Sequence, residues 1–285
     1  MSVTTVVGLE AFEAVATGLD HPEGVTVGHD GSLIAGGEAG QIYRIGDEGA
    51  FEEIASTGGF IYGVAVDGAG TVFACDYGNA AVMRISATGD VDSHSNGTAE
   101  RPMRVPNFAA FDDVGNLYVT DSGEWGDDDG LVYRIAPGGA TEVWTESTPR
   151  FPNGCCLSAK GDALLVVESH GRAVVRVPIG DDGSAGAPDP IVDLTGSQPD
   201  GIALAEDGTM FVGCYRPDRL YRISPDGVVD VFAEDPDGVV LNQPANVAFF
   251  GGPNLDRLIV SSLGGWTLMA APAGTRGLAL RYPTV

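Results

Sequence analysis

The sequence predicts an all-β fold, a six-bladed β-propeller, from a short segment that returns six times along the chain. The copies are His21-Pro22-Glu23-Gly24, Ile61-Tyr62-Gly63, Val105-Pro106-Asn107-Phe108, Phe151-Pro152-Asn153-Gly154, Gln198-Pro199-Asp200-Gly201 and Gln243-Pro244-Ala245-Asn246. Equivalent positions follow one another at intervals of 39 to 47 residues. A period of about 40–50 residues that is made of short strands is typical of a propeller blade.

Each copy carries the pattern of a four-stranded antiparallel blade. An apolar strand follows the opening segment, and a turn such as Asp207-Gly208 leads into a second strand, because Asp-Gly tolerates the positive φ of hairpin turns. The third strand ends in a recurrent tetrad, and a fourth strand follows it. The tetrads are Ile42-Tyr43-Arg44-Ile45, Val82-Met83-Arg84-Ile85, Val132-Tyr133-Arg134-Ile135, Val174-Val175-Arg176-Val177 and Leu220-Tyr221-Arg222-Ile223.

The last copy lacks a fourth strand of its own. The N-terminal segment 11–16 resembles the fourth strand that begins at Phe51 in the first copy. We therefore expect the N-terminal strand to complete the last blade, which removes the open sheet edges and ties the ring shut. Because the repeat accounts for nearly the whole chain, residues 1–285 are predicted to form one domain.

Composition narrows the classes of partner and the compartment. The chain has 40 acidic against 15 basic residues and a formal charge of −25, which disfavours binding to nucleic acid or to an anionic membrane. No apolar run is long enough for a membrane span or a secretion signal. The four cysteines form neither a disulfide framework nor a zinc motif. The cysteine usage predicts a cytoplasmic protein. We also expect a monomer or small homo-oligomer that acts on a small-molecule substrate.

One column of the repeat predicts a metal site. In a propeller the equivalent positions of all blades meet around one axis, so the oxygen-bearing side chains of this column should converge there. They are Glu23, Asn107, Asn153 and Asp200, while the other two blades carry Tyr62 and Ala245. Two carboxylates and two amides suit a hard cation, and Ca²⁺ best tolerates their irregular geometry. We expect one divalent cation, with Mn²⁺, Mg²⁺ or Zn²⁺ as possible substitutes, and no organic cofactor.

A single Pro-Asn-Gly or Pro-Asp-Gly would be read as an ordinary turn. The recurrence of polar residues in one column is what favours a shared site, since Tyr62 and Ala245 show that the fold does not require them.

The loops between second and third strands should reach the same face as this column. They supply Asp76, Asp121, Glu124, Trp125, Glu168, His170, Tyr215, Arg216 and Trp266. From the two sets together we expect the substrate to be contacted by Tyr62, Arg104, Phe108, Asp121, His170 and Tyr215.

These motifs resemble the regucalcin/gluconolactonase/luciferin-regenerating-enzyme family of six-bladed propellers, which also includes diisopropylfluorophosphatase. The resemblance covers the whole chain and is most specific at Pro152-Asn153-Gly154, at Pro199-Asp200-Gly201 and at the segment 245–255. It implies that Glu23, Asn153 and Asp200 are divalent-metal ligands and that Asn107 binds metal or substrate. It also implies that Asp200 is the general base in a lactone hydrolysis.

Two positions depart from the family pattern. Sugar-lactone members commonly follow the third-blade Asn with Asp, whereas this chain has Phe108. Arg104 lies three residues before Asn107, one position away from the register in which some members keep a substrate-binding Arg. With Phe60 and Tyr62 also near the mouth, we expect a pocket more apolar than one for sugar lactones, which suits a hydrophobic or aromatic lactone or another ester-like substrate.

Several alternatives stay open at this stage. Within hydrolases the rival is a phosphotriester or fluorophosphate substrate. A strictosidine-synthase-like propeller would catalyse amine–aldehyde condensation with a glutamate and no bound metal, by family resemblance. A non-catalytic propeller that binds a protein or peptide, and a structural calcium-binding protein, are the readings from other classes.

Overall fold

A computed structural model of the chain describes residues 5–46 and 49–285. It contains six four-stranded antiparallel sheets, each formed by strands that are consecutive in sequence except at the closure. The first strand of every sheet contacts the first strands of the sheets on either side, and the last sheet contacts the first. The six sheets therefore form the blades of a closed propeller, as predicted.

The strands of the first three blades, in order from the axis outward, are β2 (Val25–Val27), β3 (Leu33–Gly36), β4 (Gln41–Ile45) and β5 (Phe51–Ser56); β6 (Ile61–Val66), β7 (Val72–Asp76), β8 (Ala81–Ile85) and β9 (Val91–Ser95); β10 (Pro106–Phe111), β11 (Leu117–Asp121), β12 (Leu131–Ile135) and β13 (Thr141–Thr145). Those of the fourth and fifth are β14 (Pro152–Leu157), β15 (Ala163–Glu168), β16 (Ala173–Pro178) and β17 (Asp189–Asp193); β18 (Gln198–Leu204), β19 (Met210–Arg216), β20 (Asp218–Ile223) and β21 (Val229–Glu234).

The sixth blade contains the ring closure. It combines β22 (Pro244–Phe250), β23 (Arg257–Ser262) and β24 (Thr267–Pro272) with β1 (Glu13–Thr17), which pairs antiparallel with β24. Glu13 also forms an ion pair with Arg257 of the neighbouring hairpin. The prediction that the N-terminal strand completes the last blade is confirmed. Short 3-10 helices occupy Leu9–Ala11 and Gly252–Asn254.

Apolar side chains fill the spaces between blades. Between the fifth and sixth blades, for example, Phe211 meets Phe232 and Phe249 edge to face, with ring centroids 5.1 and 5.4 Å away. All three rings are buried, and such aromatic pairs add to the stabilisation from burial alone. The third-strand tetrads of the sequence contribute their apolar members to these layers.

Glycine follows the site column in four blades because the first strands approach one another closely there. A Cβ on Gly154 would lie 2.6 Å from both the carbonyl oxygen of Asp200 and the Cα of Gly201. The same is true of Gly63, where a Cβ would lie 2.4 Å from the carbonyl oxygen of Asn107. Backbone atoms cannot turn away as a side chain can, so these positions fix how near the site residues come to the axis.

Gly154→Ala is expected to destabilise the fold by about 1–3 kcal/mol, because the new methyl group forces β14 and β18 apart. The measurement is chemical denaturation, and cation affinity should weaken in the same variant since Asp200 is displaced. Gly46→Ala is the matched control, because among the described residues the nearest atom to its Cβ would be the Ala50 carbonyl oxygen, 3.9 Å away. Equal stabilities of the two variants would contradict this account of the axis.

The central channel is apolar at the end opposite to the site column. A cavity of about 450 Å³ lies there, lined by the first strands of all six blades and by residues 278–282. This C-terminal segment crosses the channel end, where the amide of Leu278 donates to the Leu204 carbonyl at 2.8 Å and the Tyr282 hydroxyl donates to the Val27 carbonyl at 3.0 Å. The site column therefore has an apolar floor. Among the described residues, no helix has the length and apolar character that crossing a membrane would need.

Candidate metal centre

The six positions of the site column are neighbours around a closed ring. A Cβ on Gly24 would touch the carbonyl oxygen of Tyr62 in the next blade. In the same way, a Cβ on Gly63 would touch the Asn107 carbonyl and a Cβ on Gly154 would touch the Asp200 carbonyl. The Thr120 hydroxyl donates to the Asn153 carbonyl at 2.8 Å. The Ser261 hydroxyl closes the ring by donating to the carbonyl of Glu23 at 2.6 Å. The backbone segments that carry the four polar side chains therefore lie side by side around the channel.

Serine hydroxyls orient the two amide side chains. The Asn107 amide nitrogen donates to Ser122 Oγ at 3.0 Å, and the Asn153 amide nitrogen donates to Ser169 Oγ at 3.2 Å. Each serine in turn donates to a carbonyl of the following blade, that of Pro152 for Ser122 at 2.8 Å and that of Pro199 for Ser169 at 2.6 Å. Since the nitrogen of each amide is held by a serine, its oxygen is left for another partner.

Three oxygens of the centre are buried without hydrogen-bond partners. This is true of Asn107 Oδ1, Asn153 Oδ1 and Asp200 Oδ1, and Glu23 is 8% exposed. A buried acceptor without a partner costs about 1–3 kcal/mol. Three such atoms beside a second carboxylate fit a hard divalent cation, which bonds to oxygen and brings the opposite charge. The residues present therefore suit the group that the sequence predicts.

Burial perturbs the pKa of both carboxyl groups, and the charge of one adds to the shift of the other. Burial raises the pKa of Asp200 to about 7. The pKa of Glu23 is raised well above its ordinary value, first by burial and then by the charge of Asp200. Two buried carboxylates that repel each other are the arrangement that a bound cation relieves.

Two tyrosines stand beside the carboxylate pair. Burial raises the pKa of both Tyr62 and Tyr215, and the charges of Glu23 and Asp200 raise each of them further. That coupling places both phenols close to the centre, on blades that lie opposite each other in the ring. Both hydroxyls stay protonated at neutral pH, so each is a hydrogen-bond donor at the mouth.

The other residues predicted to contact substrate lie at different depths. Arg104 is at the rim, where its guanidinium donates to Asp129 at 2.6 Å. Asp121 is buried and accepts the backbone amides of residues 104 and 105 at 2.7 and 3.1 Å. The His170 ring lies 5.3 Å from that of Trp125 in the rim. The structure does not bring Phe108 to the mouth, since its buried ring lines the apolar cavity on the far side of the column.

Sequence reasoning missed the serines that hold the amides, and it missed Asn246. Both Ser122 and Ser169 directly follow an acidic residue at the end of a second strand, so an alignment of the copies could have revealed them. Asn246 follows the column in the sixth blade, where four blades have glycine. Its side chain is fully buried, and neither polar atom of its amide has a partner.

The one cluster of three or more His, Cys, Asp or Glu side chains with metal-ligand spacing in the described part of the chain lies elsewhere, at the rim. It consists of Asp20, His21 and Glu38. The His21 Nδ1 atom lies 2.7 Å from Glu38 Oε2, and Gln41 donates to Asp20 at 3.1 Å. These groups are half-exposed or exposed and already satisfy one another.

Ser169→Ala is expected to weaken cation binding roughly 10–100-fold, because the Asn153 amide loses the partner that fixes its orientation. Calorimetric titration with Ca²⁺ measures the change. Ser158→Ala, which removes a surface hydroxyl bonded to Asp162 at 2.7 Å, is the control and should bind as the parent does. Unchanged cation affinity in Ser169→Ala would show that Ser169 does not support the cation site.

Fold and site together define a class of protein: a six-bladed β-propeller with a buried, oxygen-lined centre at one end of its channel. A sequence model described as the SMP-30/gluconolactonase/LRE-like region matches residues 94–264, more than half of the chain. The chain belongs to this family. A second model, described as the N-terminal part of strictosidine synthase-like proteins, matches residues 8–45. No curated protein matches the sequence significantly.

Solved structures share the whole fold at low sequence identity. The gluconolactonase XC5397 from Xanthomonas campestris is 18% identical over 92% of this chain and 89% of its own, with a TM-score of 0.78. A luciferin-regenerating enzyme is 17% identical over 96% and 99%, with a TM-score of 0.79. Regucalcin from Agrobacterium tumefaciens, described as a calcium-binding protein, is 18% identical over 99% of both chains, with a TM-score of 0.77. At these identities the likeness establishes the fold.

Proposed function

We propose that the protein is a divalent-cation-dependent hydrolase of lactones, with Ca²⁺ as the favoured cation. The observation that carries the proposal is the set of buried oxygens without partners, Asn107 Oδ1, Asn153 Oδ1 and Asp200 Oδ1, beside Glu23. Family membership supports a lactonase-type hydrolase. The descriptions of two fold neighbours, one as a gluconolactonase and one as a calcium-binding protein, agree with it.

The four polar residues of the column would hold the cation, which when bound polarises the lactone carbonyl and stabilises the oxyanion that forms. Asp200 would accept a proton from the water that attacks the carbonyl carbon. The ring C–O bond then breaks, and its oxygen takes up a proton to give the hydroxy acid. Tyr62 and Tyr215 would donate hydrogen bonds to substrate oxygens at the mouth, since both phenols lie near the carboxylate pair.

The two roles of Asp200 oppose each other. Without a cation its pKa is about 7 because of burial, whereas a cation would lower that pKa and make Asp200 a weaker base. Polarisation of the carbonyl must therefore supply much of the rate. The apolar floor beneath the column strengthens these charge interactions, because less water screens them.

The test is hydrolysis of a panel of sugar and aromatic lactones by chelator-treated protein, before and after addition of Ca²⁺, Mn²⁺, Mg²⁺ or Zn²⁺. Turnover that returns with a cation supports the proposal and ranks the cations. A cation-dependent rise in melting temperature without lactone turnover would support the metal site but contradict the proposed lactone hydrolysis. Phosphotriesters belong in the same panel as the rival substrates. The absence of any response to cations would contradict the metal centre.

A strictosidine synthase-like reaction is the second candidate, because the match over residues 8–45 includes Glu23. It predicts amine–aldehyde condensation that persists in the presence of chelator. Chelator-resistant condensation would favour this candidate, and loss of all activity on chelation would exclude it.

A further inference from the structure

Three aromatic side chains at the rim are about half exposed, and each packs on another aromatic ring. Tyr77 is 46% exposed and stacks on Tyr62 at 5.1 Å with an interplanar angle of 5°. Trp125 is 45% exposed and packs edge to face on Phe151 at 4.9 Å. Trp266, also 46% exposed, packs on the His21 ring at 4.6 Å. Exposed faces held in place in this way lose little freedom when a ligand binds.

All three lie on the face that carries the centre. Tyr77 follows the second strand of its blade, whose last residue Asp76 pairs with Ile61, the residue before Tyr62. Trp125 follows Asp121, which pairs with Pro106, the residue before Asn107. Trp266 precedes the third strand of the sixth blade, in the corresponding loop.

Exposed aromatic rings are concentrated at this mouth. Across residues 5–46 and 49–285 the only other large aromatic side chain that is exposed is Phe51, on the outermost strand of the first blade. A cluster of exposed aromatic faces around a pocket marks a surface that binds apolar ligands.

Several charged groups around the same mouth already have protein partners. Arg104 pairs with Asp129 at 2.6 Å, and the Arg150 backbone amide donates to Glu168 at 2.9 Å. Asp76 accepts from the Asn79 side chain at 2.7 Å. A polyhydroxylated substrate would lose its hydrogen bonds to water on binding. To replace them it would have to compete with the protein partners of these groups, which lowers affinity. An aromatic ring needs none of them.

We propose that the substrate is an uncharged lactone that carries an aromatic ring, which packs on Tyr77 and Trp125 while its carbonyl group reaches the centre. This inference rests on the proposed function. The stack of Tyr77 on Tyr62 leads from the rim to the carboxylate pair, to which the Tyr62 phenol is coupled. Hydrolysis converts the neutral lactone into an anionic hydroxy acid, which a protein of net charge −25 repels and so releases.

The activity test compares dihydrocoumarin, a benzo-fused lactone, with glucono-δ-lactone in Tyr77→Ala, Trp125→Ala and the double variant. Each substitution should lower the ratio of kcat/KM for the aromatic over the sugar lactone roughly two- to tenfold, mostly through KM, since one aromatic contact is lost. Phe51→Ala is the matched control, because Phe51 is exposed to a similar extent, 41%, but lies on the outermost strand of its blade, and the ratio in this variant should not change. A ratio that stays constant in all variants would overturn the proposal.

A binding test separates this inference from the proposed reaction. Two of the three tryptophans, Trp125 and Trp266, lie at the rim, so intrinsic fluorescence reports on the mouth. The probe is the lactam analogue of dihydrocoumarin, which lacks the scissile ester, and the comparison is a sugar lactam. Quenching by the aromatic lactam alone, reduced in Trp125→Phe, supports the inference even if no lactone is hydrolysed. Lactone turnover without quenching by the aromatic lactam would overturn the inference and leave the hydrolase intact.

Discussion

Replacing Asp200 with alanine is expected to abolish lactone turnover and to weaken cation binding together. The change removes one of only two negative charges in the centre and one of its partnerless buried oxygens. It also removes the group that would accept the proton of the attacking water. Loss of a single group that stabilises transition-state charge costs roughly 10²–10³-fold in rate, and the combined loss here should exceed that. Turnover and calorimetric cation titration measure the two effects.

The control for this variant is the stability of the cation-free protein. Asp200 is a buried carboxylate that raises the pKa of Glu23 by its charge, so its removal relieves repulsion and should not lower the melting temperature of the metal-free form. Asp200→Asn keeps the side-chain volume and one oxygen and should retain part of the cation affinity. Turnover at the parental level in Asp200→Ala would show that the proposed site is wrong.

Cation binding is expected to tighten steeply as the pH rises from about 5.5 to 8. Below about pH 7 the cation-free centre holds a proton on Asp200, because burial raises that pKa to about 7 from an ordinary 3.8. Glu23 shifts in the same direction. A cation must displace each such proton. Cation affinity should therefore fall roughly tenfold for each unit by which the pH is lowered, for every proton displaced. Calorimetry in buffers of different ionisation enthalpy counts the protons released.

The same shifts set the sign of the stability change. In the cation-free protein the pKa of Asp200 is higher in the folded than in the unfolded state. The contribution of Asp200 to the free energy of unfolding is therefore fully present below about pH 4 and is lost as the pH rises through about 7. A bound cation keeps both carboxyl groups ionised and removes that loss. The rise in melting temperature on adding Ca²⁺ should therefore be larger at pH 8 than at pH 5.5. A rise that is independent of pH would contradict the buried carboxylate pair.

Much of the fold could be predicted because a propeller repeats one local pattern. Hairpin turns such as Asp207-Gly208, the apolar alternation of the strands and the period of the copies are short-range properties, and each blade forms from consecutive residues. Even the closure by β1 was visible, since the sixth copy lacks a strand that the N-terminus resembles. The same period placed Glu23, Asn107, Asn153 and Asp200 in one column.

The sequence by itself therefore determined the fold class, the closure and which residues occupy the column. Only the tertiary structure decided how those residues are held: Ser122 and Ser169 bond an amide of their own blade and a carbonyl of the next, which no local pattern encodes. It also decided that Phe108 lies on the far side of the column and that Tyr77 joins the aromatic rim. The physical reason is that these contacts join different blades, and the direction of a side chain at a strand irregularity depends on the neighbouring sheet.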